Sequence, residues 1–140
     1  MPNLRRIPNP VNGVYGTRLD VCWYTHLFVT TTSGTVDTTN SDQAKDSAVT
    51  LVKTAAKTGR YSITLPTAHK KLLGVSATII GSADASYGAI TKGLPAYVRN
   101  NAVATAGTLD IQFAQGDTNW TDGELADGAS VMIVIMVANG

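Results

Sequence analysis

The chain has 140 residues, a net charge of +1 and one cysteine, so its length suits a single domain with a real core. The lone cysteine, Cys22, excludes an internal disulfide, and the lack of a basic block interleaved with aromatic residues argues against a nucleic-acid partner. Glutamate occurs once, whereas threonine is abundant and glycine reaches 13. This composition favours β-strands joined by polar turns over helices.

The charge content is low and unevenly distributed. Charged residues make up 15% of the chain, against about 25% in an ordinary globular protein. Residues 1–70 hold eight basic and four acidic residues, a net +4, and residues 71–140 hold three and six, a net −3. Low charge indicates surface lost to partners, or else an ordinary sandwich with a threonine-rich surface. The opposite net charges of the two halves either align subunits with one another or belong to solvated loops.

Residues 1–20 have the composition of an extended arm, with three prolines and two glycines. The arm is too apolar for a free linker, so we expect it to lie along a surface; a frayed terminus is the alternative. No apolar segment follows its paired arginines, so no secretion signal is expected and the chain is made and folded in a cytoplasm. The residues expected to make its contacts are Leu4, Arg5, Arg6, Ile7, Val11 and Tyr15.

Strand patterns begin after the arm. Residues 21–32 are apolar and β-branched, with Cys22 expected as a buried, inert thiol, and a polar loop over 35–47 separates them from a strand over 48–54. Residues 60–66 alternate cleanly, with Tyr61, Ile63 and Leu65 on one face. That pattern predicts a half-buried antiparallel strand ended by Pro66.

The second half continues in the same way. Strands are predicted over residues 72–80 and 108–113, the latter with Leu109, Ile111 and Phe113 inward. The Gly/Ala/Ser-rich residues 81–107 are too long for a structureless loop, so they contain one or two short strands or an excursion to a neighbour. Residues 116–128 form an acidic loop. Six to nine strands predict an all-β antiparallel β-sandwich or jelly-roll-like domain over residues 21–140, preceded by the arm.

The last strand candidate, residues 130–139, is apolar at almost every position. It is too short to cross a membrane, where about 20 apolar residues are needed for a helix. It therefore predicts a central strand that is buried on both faces. Because a 140-residue β-chain has little material to cover both faces, part of that cover is expected from another subunit. We expect a homo-oligomer, with a trimer preferred and a dimer next.

No residue pattern predicts catalysis, a cofactor or a metal. His26 and His69 lie in different settings, and neither belongs to a zinc or nucleophile motif. Residues 117–124 place oxygens at alternate positions as calcium loops do, but the glycine is one place late and Gly128 stands where the bidentate glutamate belongs. An acidic turn is the better interpretation. Trp120 in this loop is either an interface anchor or a lid over one end of the sandwich.

Several segments together resemble a known class of proteins. These are residues 59–66, 72–75 and 108–113, followed by the terminal strand that ends at Asn139 and Gly140. They resemble the capsid decoration, or cement, proteins of tailed bacteriophages over roughly residues 59–140. The resemblance implies a non-enzymatic, homo-oligomeric β-domain on the capsid surface of a virion, bound to the major capsid protein, with its arm clasping capsid subunits.

Two functions of different classes follow. The first is a virion structural protein that cements neighbouring capsid subunits, because a protein that binds only the assembled shell stabilises it by mass action. The second is a tail-fibre or carbohydrate-binding module that uses Tyr87, Tyr97 and Trp120 as stacking platforms. Aromatic residues make up only 6% of the chain and do not cluster, which argues against the second.

Overall fold

The computed structural model describes residues 21–42, 48–80, 96–114, 121–125 and 127–139. The predicted arm over residues 1–20 lies outside this described part. Within it the protein is all-β, with seven strands and one short 3-10 turn at Thr32–Gly34. The strands are β1 (Val21–Val29), β2 (Thr50–Lys53), β3 (Arg60–Thr64), β4 (Lys71–Ile80), β5 (Ala96–Ala102), β6 (Thr108–Phe113) and β7 (Ser130–Ala138).

The strands form two sheets, and each neighbouring pair is antiparallel. The first sheet has the order β1-β7-β4, and the second has the order β2-β3-β6-β5. The chain therefore crosses between the two sheets several times. Its last strand, β7, returns to the first sheet and lies between β1 and β4. Most of the tertiary contacts join residues that are distant in sequence.

The cleanest sequence patterns lie in the second sheet, and both predictions are confirmed. Tyr61 and Ile63 of β3 are fully buried, and so are the three predicted inward residues of β6. Alternation along a strand points every second side chain to the same face. The register pairs Tyr61 with Ile111 and Ile63 with Leu109, so both strands bury the same face.

Aromatic rings connect the two sheets inside one core. Phe28 of β1 lies 5.1 Å from Tyr61 of β3, and Tyr61 lies 5.8 Å from Phe113 of β6 in an edge-to-face arrangement, measured between ring centroids. Such tilted ring pairs add about 0.5–1.5 kcal/mol beyond the burial of their area. The Tyr61 hydroxyl donates a 2.6 Å hydrogen bond to the Gly34 carbonyl, which satisfies its polar end. Burial raises the pKa of Tyr61, and the nearby Glu124 charge raises it further.

The C-terminal run is the central strand of the first sheet, as the sequence predicts. On one face, Val131, Ile133, Ile135 and Val137 are fully buried. On the other face, Met132, Val134 and Met136 are only half-buried in the single chain. The cover expected there from another subunit stays a prediction. The second sheet covers one face of β7, and its other face points away from that core.

Other predictions have mixed outcomes. Residues 81–107 do contain a short strand, β5, although residues 81–95 lie outside the described part. Cys22 is half-buried and free, not fully buried.

Gln112 faces away from the core, as alternation requires, yet it is completely buried. Its amide accepts a hydrogen bond from Arg60 and donates to the carbonyls of Thr58 and Phe113.

The two faces of β7 predict opposite mutational effects. Ile135→Asp places an unpaired charge in the dry core and should destabilise the protein by at least about 3 kcal/mol. Val134→Asp reaches the half-exposed face and should cost about 1 kcal/mol in the isolated chain. Denaturant unfolding at low protein concentration measures both changes in free energy. Equal and severe losses would show that the single chain already covers both faces.

Candidate functional site

The interaction residues predicted from sequence lie outside the described part of the chain. They are Leu4, Arg5, Arg6, Ile7, Val11, Tyr15 and Trp120. Of the aromatic residues considered as stacking platforms, Tyr87 is also outside it, whereas Tyr97 lies on β5 and is 45% exposed. The described residues present a different surface that the sequence analysis did not identify.

This surface is the side of the first sheet that faces away from the core, here called the outer face. The register of β1, β7 and β4 arranges this side as five cross-strand rows of three residues, and the name outer face is kept for four of them. The fifth row, Val21-Ala138-Lys71, lies at the end of the sheet beyond the register shift and carries one lysine. The rows are Val29-Ser130-Ile80, Leu27-Met132-Thr78, Thr25-Val134-Ser76 and Trp23-Met136-Gly74. The alternate rows, such as Phe28-Val131-Ile79, point into the core.

The outer face carries no ionisable side chain in its four rows. Seven of its twelve residues are apolar, one is glycine and four are serine or threonine. Trp23 is 62% exposed and Ile80 is 49% exposed, although tryptophan and isoleucine are costly to leave in water. An antiparallel sheet with one face in solvent normally carries polar residues on that face. The composition of this face therefore differs from that of an ordinary solvent-facing sheet.

The outward side of the second sheet shows the contrast. It carries Arg60 and Asp110, and Arg60 lies in the same row as the buried Gln112 and Tyr97. The polar side chains on this side are therefore hydrogen-bonded to one another or exposed to water. The two sheets share a core but present chemically different surfaces.

A groove adjoins Trp23 at one end of the outer face. It has a volume of about 170 Å³ and is lined by Trp23, Gly74, Val75, Ser76, Val134 and Met136. The register of β4 against β7 shifts between Leu72 and Gly74. A Cβ atom on Gly74 would meet nothing within 4 Å. The register shift and the missing side chain leave space beside an exposed indole, which is the shape of a pocket for an apolar anchor.

The edge of β1 is partly closed to further strand pairing. The Leu27 N–H donates to a carboxylate oxygen of Asp42 at 2.8 Å, and the Val29 N–H donates to the Ser41 hydroxyl at 2.9 Å. Side chains that occupy edge N–H groups block the addition of another strand. At this end of the sheet, two N–H groups of the backbone edge are therefore occupied, whereas the outer face remains accessible.

A second concave region lies where three loops meet. Lys53 makes a 2.6 Å ion pair with Glu124 and also donates to the Ser33 carbonyl, and the Gly59 N–H donates to the other Glu124 oxygen at 3.3 Å. The adjacent cavity of about 460 Å³ is lined by Ser33, Thr35, Lys53–Thr58 and Glu124. The charges of Lys53 and Glu124 neutralise each other, and Lys57 also lines the cavity. We therefore interpret this cluster as a joint that ties the loops together.

Two glycines test how tightly this joint is built. A Cβ on Gly59 would lie 1.9 Å from the Gly123 carbonyl oxygen, whereas a Cβ on Gly128 would meet nothing within 4 Å. Both have positive φ, +62° and +75° respectively. Gly128→Ala should therefore cost only the conformational term of about 1–2 kcal/mol, and Gly59→Ala should cost clearly more because backbone must move. Thermal unfolding of the two variants measures the difference, and equal midpoints would contradict a rigid joint.

The two histidines are buried in polar arrangements of their own. His69 contacts the Tyr24 hydroxyl through Nε2 at 2.8 Å and the Asn139 side-chain oxygen through Nδ1 at 2.9 Å. Both ring nitrogens of His69 therefore have hydrogen-bonding partners within the chain. Burial, and then the neighbouring Cys22, raise the pKa of Tyr24. Among the described residues, no group of three or more His, Cys, Asp or Glu could hold a metal ion.

His26 predicts a pH dependence of stability. Burial lowers its pKa in the folded protein below the ordinary 6.5, and the Asp42 charge only partly opposes this. As the pH falls below about 6.5, the unfolded chain therefore binds a proton at this position more readily than the folded protein. The free energy of unfolding should decrease on acidification from about pH 7.5 to about pH 5.5, and His26→Gln should decrease less over the same interval. An identical decrease in both proteins would contradict this assignment.

The signal for the outer face was present in the sequence but distributed over three segments. Residues 21–29 and 130–138 carry no lysine, arginine, aspartate or glutamate, and in residues 71–80 Lys71 is the only one. Each segment alone resembles an ordinary apolar strand. Only the pairing of all three strands in one sheet places their uncharged residues side by side on one continuous surface.

Comparison of the chain with protein-family models, with curated proteins and with solved structures finds no match. No helix within the described residues is both long and apolar enough to cross a membrane.

Proposed function

We propose that this protein is a non-enzymatic structural component of a virion that binds the outside of a phage capsid and cements neighbouring capsid subunits. The observation that carries the proposal is the uncharged outer face with its exposed Trp23. In this proposal the two sheets form a β-sandwich, and the N-terminal arm extends from it. The protein is synthesised in the host cytoplasm and joins the capsid surface after assembly.

The outer face supports a protein partner more than a sugar. Carbohydrates carry many hydroxyl groups and need polar side chains around a stacking aromatic ring. Around Trp23 the groove offers Ser76 as a polar side chain, and its other lining residues are glycine, valine and methionine. Tryptophan is enriched among the residues that dominate protein–protein binding energy. The apolar lining therefore favours a polypeptide over a glycan.

The polar clusters support a structural role. The Lys53–Glu124 pair holds loops together, and the His69 ring is engaged by Tyr24 and Asn139 on both nitrogens. Groups used in this way stabilise the domain and are not available to a substrate. A protein that binds the assembled shell and not its separate subunits stabilises the shell by mass action. A homo-oligomer, preferably a trimer, strengthens this effect because several weak sites bind together.

Capsid binding tests the proposal with a matched pair of aromatic residues. Trp23→Ala removes the anchor of the outer face, whereas Tyr97→Ala removes a partly exposed ring from the second sheet. Loss of a binding anchor costs about 2 kcal/mol or more, so Trp23→Ala should weaken binding to empty capsids more than tenfold in a sedimentation assay. Tyr97→Ala should bind as wild type.

Deletion of residues 1–20 should also weaken attachment and leave the strands folded, as judged by circular dichroism.

Three outcomes contradict the proposal. Wild-type protein that does not sediment with capsids removes the capsid partner, and unchanged occupancy by the protein lacking residues 1–20 removes the role of the arm. Saturable binding on a glycan array that is lost in Tyr97→Ala favours the carbohydrate-binding function instead.

A further inference from the structure

The size of the outer face limits what covers it. Rows along a strand are two residues apart, about 6.7 Å, and neighbouring strands are about 4.8 Å apart, so four rows on three strands span roughly 27 by 14 Å. The resulting area of roughly 400 Å² is half of the about 800 Å² per partner that a stable protein complex buries. Two outer faces packed against each other would therefore form a weak dimer. An extended segment of about eight residues has the right length to cross all four rows.

The chain itself contains a segment with matching chemistry. Residues 7–17 lie between Arg6 and Arg18 and carry no charge over eleven consecutive positions. Placing an uncharged segment on an uncharged face leaves no charge without a partner, and the flanking arginines fall beyond the rim. The segment contains Ile7, Val11, Val14 and Tyr15 as apolar contacts.

Its prolines fit the groove beside Trp23. Pro8 and Pro10 have no N–H group, which disfavours the addition of this segment as a strand to a sheet edge. Proline-containing segments instead bind by their side chains in grooves lined by aromatic residues. On the outer face, such a groove lies between Trp23 and Gly74. Ser41 and Asp42 occupy edge N–H groups of β1, which also favours the face over the edge.

We propose that residues 7–17 of one copy of the chain bind across the outer face of a neighbouring copy, with the prolines against Trp23. Only Arg18, Leu19 and Asp20 separate this segment from Val21, the first residue of β1. These three residues include no glycine or proline to favour a sharp reversal. Covering its own sheet would require such a reversal, whereas reaching a neighbouring copy does not. The inference deepens the proposed function, on which it rests: the outer face then contacts the capsid partner only indirectly, because a neighbouring copy bound to the same capsid covers it. Trp23→Ala weakens capsid binding in this case because it breaks the link between copies, so fewer sites bind together.

The test uses the full-length chain and one reporter. The chain has two tryptophans, so Trp120→Phe leaves Trp23, on the outer face, as the single tryptophan. Because Trp120 is itself a predicted interaction residue, the unsubstituted chain is measured beside this variant and should have the same mass. In this background we expect a mass above the 14.7 kDa of one chain by light scattering. Dilution should lower the mass and shift the Trp23 emission to the red together, because the same contact controls both.

Two pairs of charge substitutions locate the contact. Val11→Asp in the segment should give single chains and red-shifted emission, whereas Asn3→Asp, which adds the same charge outside residues 7–17, should not. Thr25→Asp on the outer face should have the same effect as Val11→Asp. Thr50→Asp is its matched control, since Thr50 is an exposed threonine on the edge strand β2 of the other sheet. A synthetic peptide of residues 1–20 should lower the mass while the emission stays blue, because it replaces the neighbour's segment.

These experiments contain no capsid, so their results do not depend on whether the protein binds one. Each outcome that contradicts the inference can also be told apart from the others. Emission and mass that are unchanged in Val11→Asp overturn the inference. A single chain whose blue emission does not vary with concentration, but is lost in Val11→Asp, shows docking on its own sheet and also overturns it. An oligomer that survives Val11→Asp but not Thr25→Asp shows direct packing of two outer faces instead. If these tests succeed and capsid binding fails, the link between copies stands and the capsid partner does not.

Discussion

The placement of β7 between β1 and β4 is the constraint on which the rest of the structure depends. The backbone N–H and C=O groups of a central strand point alternately to the strands on its two sides, so β7 fixes the register of both β1 and β4. On one face, Ile133 and Ile135 are fully buried against the core that the second sheet completes. On the other face, Met132 and Val134 are half-buried between the side chains of the two edge strands. An apolar strand in this position creates a core and an apolar exterior at the same time.

The two ends of the chain are also coupled through β7. The strand is the last in sequence, yet it pairs with the first, so Val21 lies opposite Ala138. The first sheet can therefore form only when residues 130–138 are present to pair with β1. Closing the loop between these two strands costs entropy before the contacts compensate for it. On the other side of the core, the Lys53–Glu124 pair joins loops that are 71 residues apart. Long-range contacts thus hold the domain at several points.

The outer face connects this architecture to function. A monomer that left Trp23 and Ile80 in water would be prone to self-association, because no charge on this face opposes it. Ser41 and Asp42 protect the edge of β1, which indicates that indiscriminate strand pairing is avoided while the face is kept apolar. A specific cover reconciles the two observations. A proline-containing segment fits this requirement because it contributes side chains without offering a strand of its own.

The sequence by itself determined the all-β class and the faces of individual strands. Alternation in Tyr61 and Ile63, and in Leu109 and Ile111, reports on the backbone period of two, which is a local property. It did not determine which strands are neighbours, so the burial of Gln112 and the exposure of Trp23 could not be predicted. Gln112 is buried because the loop before β3 lies over it, and Trp23 is exposed because β1 is an edge strand whose odd-numbered residues point away from the core. The prediction that β7 is central was correct, and burial of its second face by another subunit stays a prediction. The alternation of apolar residues is a local signal that favours burial of one side of a strand, but tertiary contacts decide which strands are neighbours and which positions are covered.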